Sequence, residues 1–233
     1  MKINIKRDTV VEYEVQMQNR TLLEVLNEIK TKIDPTLAYN SGCRSSVCGS
    51  CAVRVNGKEV LACAYHVQEG DLIEPLKNSE VVRDLVVNMD KAYSFNTKAK
   101  AWQSTCTENV SLSYEEQKLN ELQSNCILCG LCYSACPVYA VNSEFLGPFT
   151  LTRVWRYVSD KRETKVEEKI DSIQTNGVWD CTLCNECTLV CPQGISSKAD
   201  IEKLRAKSAM LGYMDPNFGN FGGGFGFDGS PSF

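Results

Sequence analysis

The sequence predicts an α+β fold in two successive parts: a small domain of strands around one helix over residues 1–100, and an all-α domain over residues 101–215. Three observations predict it. Apolar residues alternate with period two in the first part and recur at helical spacing in the second. Asn56-Gly57, a strong hairpin signal, lies between two short β-prone runs of the first part. Twelve of the 13 cysteines fall into three sets of four, one in the first part and two in the second. The join is expected near residues 95–108. Residues 216–233, rich in Gly, Phe, Asn and Ser without periodicity, read as a flexible tail.

Taken in order, residues 3–7 and 10–17 alternate as two strands parted at Asp8. Thr21-x-x-Glu24 is a capping box opening a helix with Leu22, Leu26, Ile29 and Ile33 as its buried stripe, and Asp34-Pro35 ends it. A Gly- and Ser-rich loop over 40–50 follows. Strands over 52–55 and 59–63 flank the hairpin turn, and 71–74 is another before Pro75. Strands around one helix with a cysteine loop are the pattern of a β-grasp ferredoxin. Residues 79–107 read as a connector with helical periodicity in Val82, Leu85, Val86 and Met89. Ser113-x-x-Glu116 caps a helix whose face includes Leu119 and Leu122, leading to Cys126. Further helices are expected over 149–159, 165–173 and 197–211.

Bulk properties exclude several functions. The 233-residue chain carries a net charge of −4 and no block of Lys or Arg, so nucleic acid is not expected as a partner. No apolar run approaches the roughly 20 residues that span a bilayer, and the N-terminus alternates instead of forming a signal-peptide core. Thirteen cysteines without an export signal indicate a reducing compartment, where thiols hold metal or do redox work. The single histidine, His66, has no nucleophile motif around it, and the glycine run at 222–226 has neither the strand nor the helix of a dinucleotide loop. No catalytic residue is assigned to the chain.

The first cysteine set, Cys43-x4-Cys48-x2-Cys51 with Cys63, has plant-ferredoxin spacing for a 2Fe–2S cluster. Gly42, Ser45, Ser46, Gly49, Ser50 and Ala52 are small enough to let backbone amides approach the sulfides. The second set is Cys126-x2-Cys129-x2-Cys132-x3-Cys136-Pro137. The third repeats it as Cys181-x2-Cys184-x2-Cys187-x3-Cys191-Pro192. This is the bacterial pattern in which the fourth cysteine of each run serves the other cluster. One cluster is then held by Cys126, Cys129, Cys132 and Cys191, the other by Cys136, Cys181, Cys184 and Cys187. Structural zinc is the competing reading, but it usually takes two separated C-x2-C knuckles. Disulfides fit less well, because neighbouring cysteines in one turn bridge poorly. Cys106 lies outside every pattern and is a spare thiol.

The stretches 41–52, 61–63, Arg83-Asp84-Leu85-Val86-Val87, 126–132, Phe145-Leu146-Gly147-Pro148 and 176–181 resemble the iron–sulfur subunit of the succinate dehydrogenase and fumarate reductase family, the fumarate reductase branch especially. The resemblance covers about residues 1–210. It implies an FAD-containing flavoprotein partner that interconverts succinate and fumarate, and a membrane-anchor partner that binds quinone. Electrons would run between flavin and quinone through the three clusters in turn, with the chain peripheral on the cytoplasmic side of the cell membrane.

Two departures from that family bear on the site. Most members have no cysteine at the position of Cys184 and carry a 3Fe–4S third cluster. The full quartet here implies a second 4Fe–4S cluster, the alternative being a 3Fe–4S centre with Cys184 unligated. The Trp and His that the dehydrogenase branch places near the third cluster correspond to Val141 and Thr182. Arg205 stands where relatives bring a Lys to the quinone, which makes it the quinone-proximal candidate; a surface arginine is the plain alternative. Two other functions stay open: the iron–sulfur subunit of a related flavoenzyme serving a thiol or soluble carrier, and a zinc-stabilised interaction module.

Overall fold

A computed structural model describes residues 1–16 and 19–216. The predicted tail beyond 216 lies outside the described residues. In the N-terminal half, β1 (Lys2–Lys6) and β2 (Val10–Glu14) form an antiparallel pair, and α1 (Leu22–Glu28) follows. Then come β3 (Ala52–Val55), β4 (Lys58–Leu61) and β5 (Leu72–Glu74), completing a five-stranded sheet ordered β2-β1-β5-β3-β4. Only β1 and β5 pair in parallel. The turn between β3 and β4 has Asn56 and Gly57 at φ 49° and 82°, the left-handed pair that a tight hairpin needs.

The capping box forms in both directions. Glu24 N–H donates to Thr21 Oγ1 at 3.4 Å, and Thr21 N–H donates to Glu24 Oε2 at 2.8 Å. Leu22, Leu26 and Ile29 are buried against the sheet, but Ile33 is 48% exposed. The expected stripe breaks because the helix runs on as a π-helical turn over Ile29–Ile33, where Asp34 N–H reaches back five residues to Ile29 O at 2.7 Å. The wider turn rotates Ile33 off the buried face.

The connector departs from its expected helical period. Its first part is a ribbon, β6 (Glu80–Arg83) against β7 (Val86–Asn88), turning at Asp84 with φ 49°. β-Branched pairs on each side of a left-handed Asp favour the extended chain. Arg7 pins this ribbon to the sheet, donating to Asp84 Oδ1 at 2.8 Å and to Asp34 Oδ2 at 2.6 Å. The chain then enters α2 (Asp90–Lys98), whose Ala92 and Phe95 pack into the core of the second half.

That half contains α3 (Tyr114–Lys118), α4 (Glu121–Ser124), α5 (Leu131–Ser134), α6 (Pro137–Val141), α7 (Pro148–Val158), α8 (Val166–Asp171), α9 (Glu186–Leu189) and α10 (Ser197–Met210). The helix expected after Ser113 is broken at Asn120 into α3 and α4, and Leu119 and Leu122 face solvent instead of a core. Gln123 is the buried residue of that segment. The core is aromatic: Tyr133 stands edge-on to Tyr139 at 4.9 Å and beside Phe149 at 4.4 Å. Gly147, at φ 80°, lies against the Tyr133 ring with no room for a Cβ. Lys169, 1% exposed, is paired with Glu163 at 3.3 Å and donates to Ser104 Oγ at 3.0 Å. This fixes the strap that leads from α2 to α3.

The halves join along α5. Leu131 is buried in the first core, Ser134 Oγ donates to Glu59 Oε1 at 2.9 Å, and Asn78 Nδ2 donates to Tyr133 O at 2.9 Å.

Candidate metal centres

The first cysteine loop, between α1 and β3, has no regular structure and turns through left-handed Arg44, Ser46 and Gly49 at φ 61°, 60° and 72°. Those turns aim main-chain amides inward. Cys43 Sγ accepts from Ser45 N–H at 3.4 Å and from Val47 and Cys48 N–H at 3.3 Å each. Cys48 Sγ accepts from Cys43 N–H at 3.3 Å. Cys63, two residues beyond β4, comes in from the opposite side, where its Sγ accepts from Ser46 N–H at 3.3 Å. The amides of Ser45, Val47 and Cys48 push the Cys43 thiol down to about 6, whereas burial pushes Cys51 up to about 11. A Cβ on Gly42 would stand 2.9 Å from Cys48 Sγ, so the cradle tolerates no larger residue there. A loop that donates this many amides to sulfur suits an anionic thiolate cluster.

The second and third loops repeat one backbone. Leu128 and Leu183 share φ near 55° (54° and 55°), and two residues on Gly130 and Asn185 share the left-handed region at 80° and 74°. Leucine rarely adopts that conformation, and its recurrence at matched positions marks a nest of inward amides. Leu183 N–H donates to Cys181 Sγ, Ile195 N–H to Cys191 Sγ and Tyr139 N–H to Cys136 Sγ, each at 3.4 Å. Pro137 and Pro192 lead the chain away from the fourth cysteines; Pro137 does so as the first residue of α6, where a missing N–H costs nothing.

Two cavities result. Cys126, Cys129, Cys132 and Cys191 line one, with Ile127, Leu131, Phe149 and Ile195 as apolar walls. Cys136, Cys181, Cys184 and Cys187 line the other, walled by Val138, Phe145, Pro148 and Ile201. The fourth cysteine of each run thus stands with the other run. Burial pushes Cys129 and Cys187 up to about 12, a cost that binding iron would remove by taking the thiolate charge. In each cavity four thiols from two separate loops ring a volume. That spacing suits an inorganic core better than zinc.

The other candidates are placed as follows. Cys184 is exposed at the rim of its cavity. Val141 is 87% exposed at the end of α6, and Thr182 lines the cavity of the third cysteine set. Arg205 is committed to the main chain: it donates to Val178 O at 2.8 Å, Trp179 O at 3.2 Å and Cys181 O at 2.6 Å, and lies over the Trp179 ring. It clamps the loop that presents Cys181. Cys106 is apart from all three sets, with its Sγ 3.6 Å from Glu108 O. His66 is exposed beside the start of α1. Sequence reasoning missed the left-handed leucines, although Gly130 and Asn185 at matched positions were a signal. It also missed the Arg205 clamp, for which spacing offers none.

The domain described as 2Fe-2S iron-sulfur cluster binding matches residues 2–94, and the 4Fe-4S dicluster domain matches residues 122–195. The fumarate reductase iron-sulfur subunit of Haemophilus influenzae is 36% identical over 218 residues, covering 84% of this chain and 85% of that one. The 8-methylmenaquinol:fumarate reductase iron-sulfur subunit of Wolinella succinogenes is 35% identical over 84% of this chain and 66% of its own length. The succinate dehydrogenase iron-sulfur subunit of Paracoccus denitrificans is 33% identical over 79% and 74%. A chain of the Mycobacterium smegmatis Sdh1 complex in the apo form has the same fold, with a TM-score of 0.80 at 23% identity, covering 92% of this chain and 97% of that one. With paired ferredoxin domains and such identity over most of both lengths, the protein belongs to the family of iron–sulfur subunits of fumarate reductase and succinate dehydrogenase.

Proposed function

We propose that this subunit relays single electrons through three clusters: a 2Fe–2S cluster on Cys43, Cys48, Cys51 and Cys63, a 4Fe–4S cluster on Cys126, Cys129, Cys132 and Cys191, and a second 4Fe–4S cluster on Cys136, Cys181, Cys184 and Cys187. The observation that carries it is the exchange of fourth cysteines between two cavities with matched left-handed loops. Bound clusters supply reversible one-electron change. The chain's residues supply the rest: amides directed at sulfur, apolar walls that exclude water, and contact between sets. The loop of the first set lies against Cys129, and α5 packs on α9, which carries Cys187. The three sets therefore follow one another in space.

Membership of this family extends the proposal to partners. A flavoprotein carrying FAD would dock on the N-terminal half beside the exposed Cys43 loop. A membrane anchor with quinone would dock beside the third set, on the cytoplasmic side of the membrane. No helix among the described residues is long and apolar enough to cross a membrane. Arg205 would serve the third set by holding the loop that presents Cys181, and it is the candidate residue nearest a quinone docked beside that set. No bond chemistry is assigned to this chain.

Iron and sulfide analysis with electron paramagnetic resonance tests the assignment. The expected content is ten irons, from one 2Fe–2S and two 4Fe–4S clusters, with Cys184→Ser converting the third signal to a 3Fe–4S type. A strong 3Fe–4S signal in undamaged, unsubstituted protein refutes the role of Cys184. Colourless protein containing zinc refutes the relay.

A further inference from the structure

We infer that Gly49 is the crossing point between the first and second thiol sets, and that its contact with Cys129 governs how fast an electron passes between them. The inference rests on the ligand assignment proposed above.

Gly49 lies between Cys48 and Ser50-Cys51, so its main chain belongs to the loop that carries three thiols of the first set. A Cβ there would stand 2.7 Å from Cys129 Cβ, 3.0 Å from Cys129 Cα and 3.2 Å from Ile127 O. Ordinary carbon–carbon contact is about 3.5–4.0 Å. The Gly49 main chain therefore rests directly on Cys129, and any side chain would force the two loops apart. Other left-handed glycines give the comparison. At Gly57, φ +82°, the nearest atom to such a Cβ is 3.7 Å away at the tip of Arg54, and at Gly70, Gly194 and Gly212 nothing lies within 4 Å. Backbone conformation alone accounts for glycine at those turns. At Gly49 there is a second demand, closeness to a thiol residue of the other half.

A competing route exists. Ser46 N–H donates to Cys63 Sγ at 3.3 Å, and Ser46 O accepts from Gln193 Nε2 at 3.2 Å, with Gln193 two residues past Cys191. That path spans two hydrogen bonds and a whole glutamine side chain before it reaches a thiol of the second set. The Gly49 path runs from Cys48 along a short stretch of main chain to Gly49, then takes one van der Waals step and the single Cβ–Sγ bond of Cys129. Coupling decays along each bond and gap, so the Gly49 contact dominates. The step balances simply: one electron leaves the group held by the first set and reduces that held by the second, or the reverse. No bond forms or breaks and no proton moves.

The test uses the full-length chain with its clusters bound, its iron content and static spectra verified first. Rapid reduction with freeze-quenched paramagnetic resonance follows redistribution between the 2Fe–2S and 4Fe–4S signals, and spin–spin broadening in the fully reduced protein reports their separation. Gly49→Ala is expected to slow redistribution several-fold and weaken the broadening at unchanged iron content, while Gln193→Ala changes neither. Unchanged redistribution in Gly49→Ala at full iron content overturns the inference. If Gly49→Ala does not accumulate folded, Gln193→Ala decides: an unaltered rate supports the Gly49 crossing, and several-fold slowing overturns it. Failure of the ligand assignment shows separately, as a missing signal in the unsubstituted chain, and takes this inference with it.

Discussion

The two halves hold their thiols in opposite ways. In the N-terminal half Cys43 is exposed, and three main-chain amides push its pKa down to about 6. Cys51, on the buried side of that loop, goes the other way. In the helical half burial pushes Cys129 and Cys187 up to about 12, and Cys132 rises for the same reason. Cys43 can carry thiolate charge on the amides of its own loop, while Cys129, Cys132 and Cys187 depend on what they bind to take that charge up. One site is built chiefly by backbone. The others are built largely by their contents.

The largest expected effect follows from that contrast. Stripping iron from the full-length chain with a chelator under reducing conditions should cost the helical half its amide protection around residues 126–136 and 181–191, while the five-stranded sheet keeps most of its own. Hydrogen-exchange mass spectrometry reads both halves at once, and equal loss in the two would break the comparison.

A smaller effect tests the buried polar groups of the helical half. Asp200 accepts from Gln123 Nε2 at 2.7 Å and Thr152 Oγ1 at 3.1 Å, with Lys203 at 4.0 Å, and burial pushes its pKa up to about 6 from 3.8. The folded state thus holds this proton more tightly than the unfolded chain. Its contribution is full below about pH 4 and is lost as pH rises through about 6, a change of about 3 kcal/mol. Asp200→Asn should flatten that slope in denaturant unfolding followed across the window. A slope identical to the unsubstituted protein would place the sensitivity elsewhere.

The smallest sharpens the N-terminal side. Thr21→Ala removes one arm of the capping box and should cost about 1 kcal/mol. By hydrogen exchange the loss should be confined to α1 and the sheet. Equal loss in the helical half would show that the halves unfold as one unit.

What could be deduced from sequence divides along physical lines. The hairpin at Asn56-Gly57 and the box at Thr21–Glu24 were legible because local chemistry decides them. The cysteine spacings were legible because a cluster loop must be short. The β6–β7 ribbon was misread: Val82, Leu85, Val86 and Met89 match a helical period, but Asp84, held in its turn by Arg7 just past the distant strand β1, decides the outcome. Leu119 and Leu122 were misread because amphipathic spacing does not say whether a core lies opposite. The Gly49 contact and the Arg205 clamp join residues far apart in the chain, and no local pattern encodes them.

The exchange of Cys136 and Cys191 between cavities also sets an order of events on the ribosome. When Cys126, Cys129 and Cys132 have emerged, the fourth wall of their cavity is still unmade, because Cys191 comes only after the entire third run has been translated. The cavity of the third cysteine set has the reverse history, its Cys136 waiting through the synthesis of α7 and α8 for the loop that completes it. Neither cavity has its four thiols before Cys181–Cys191 is made, so loading the helical half is a later step than loading the first set. The first set is complete once Cys63 is out, and can be filled while the rest of the chain is still being made.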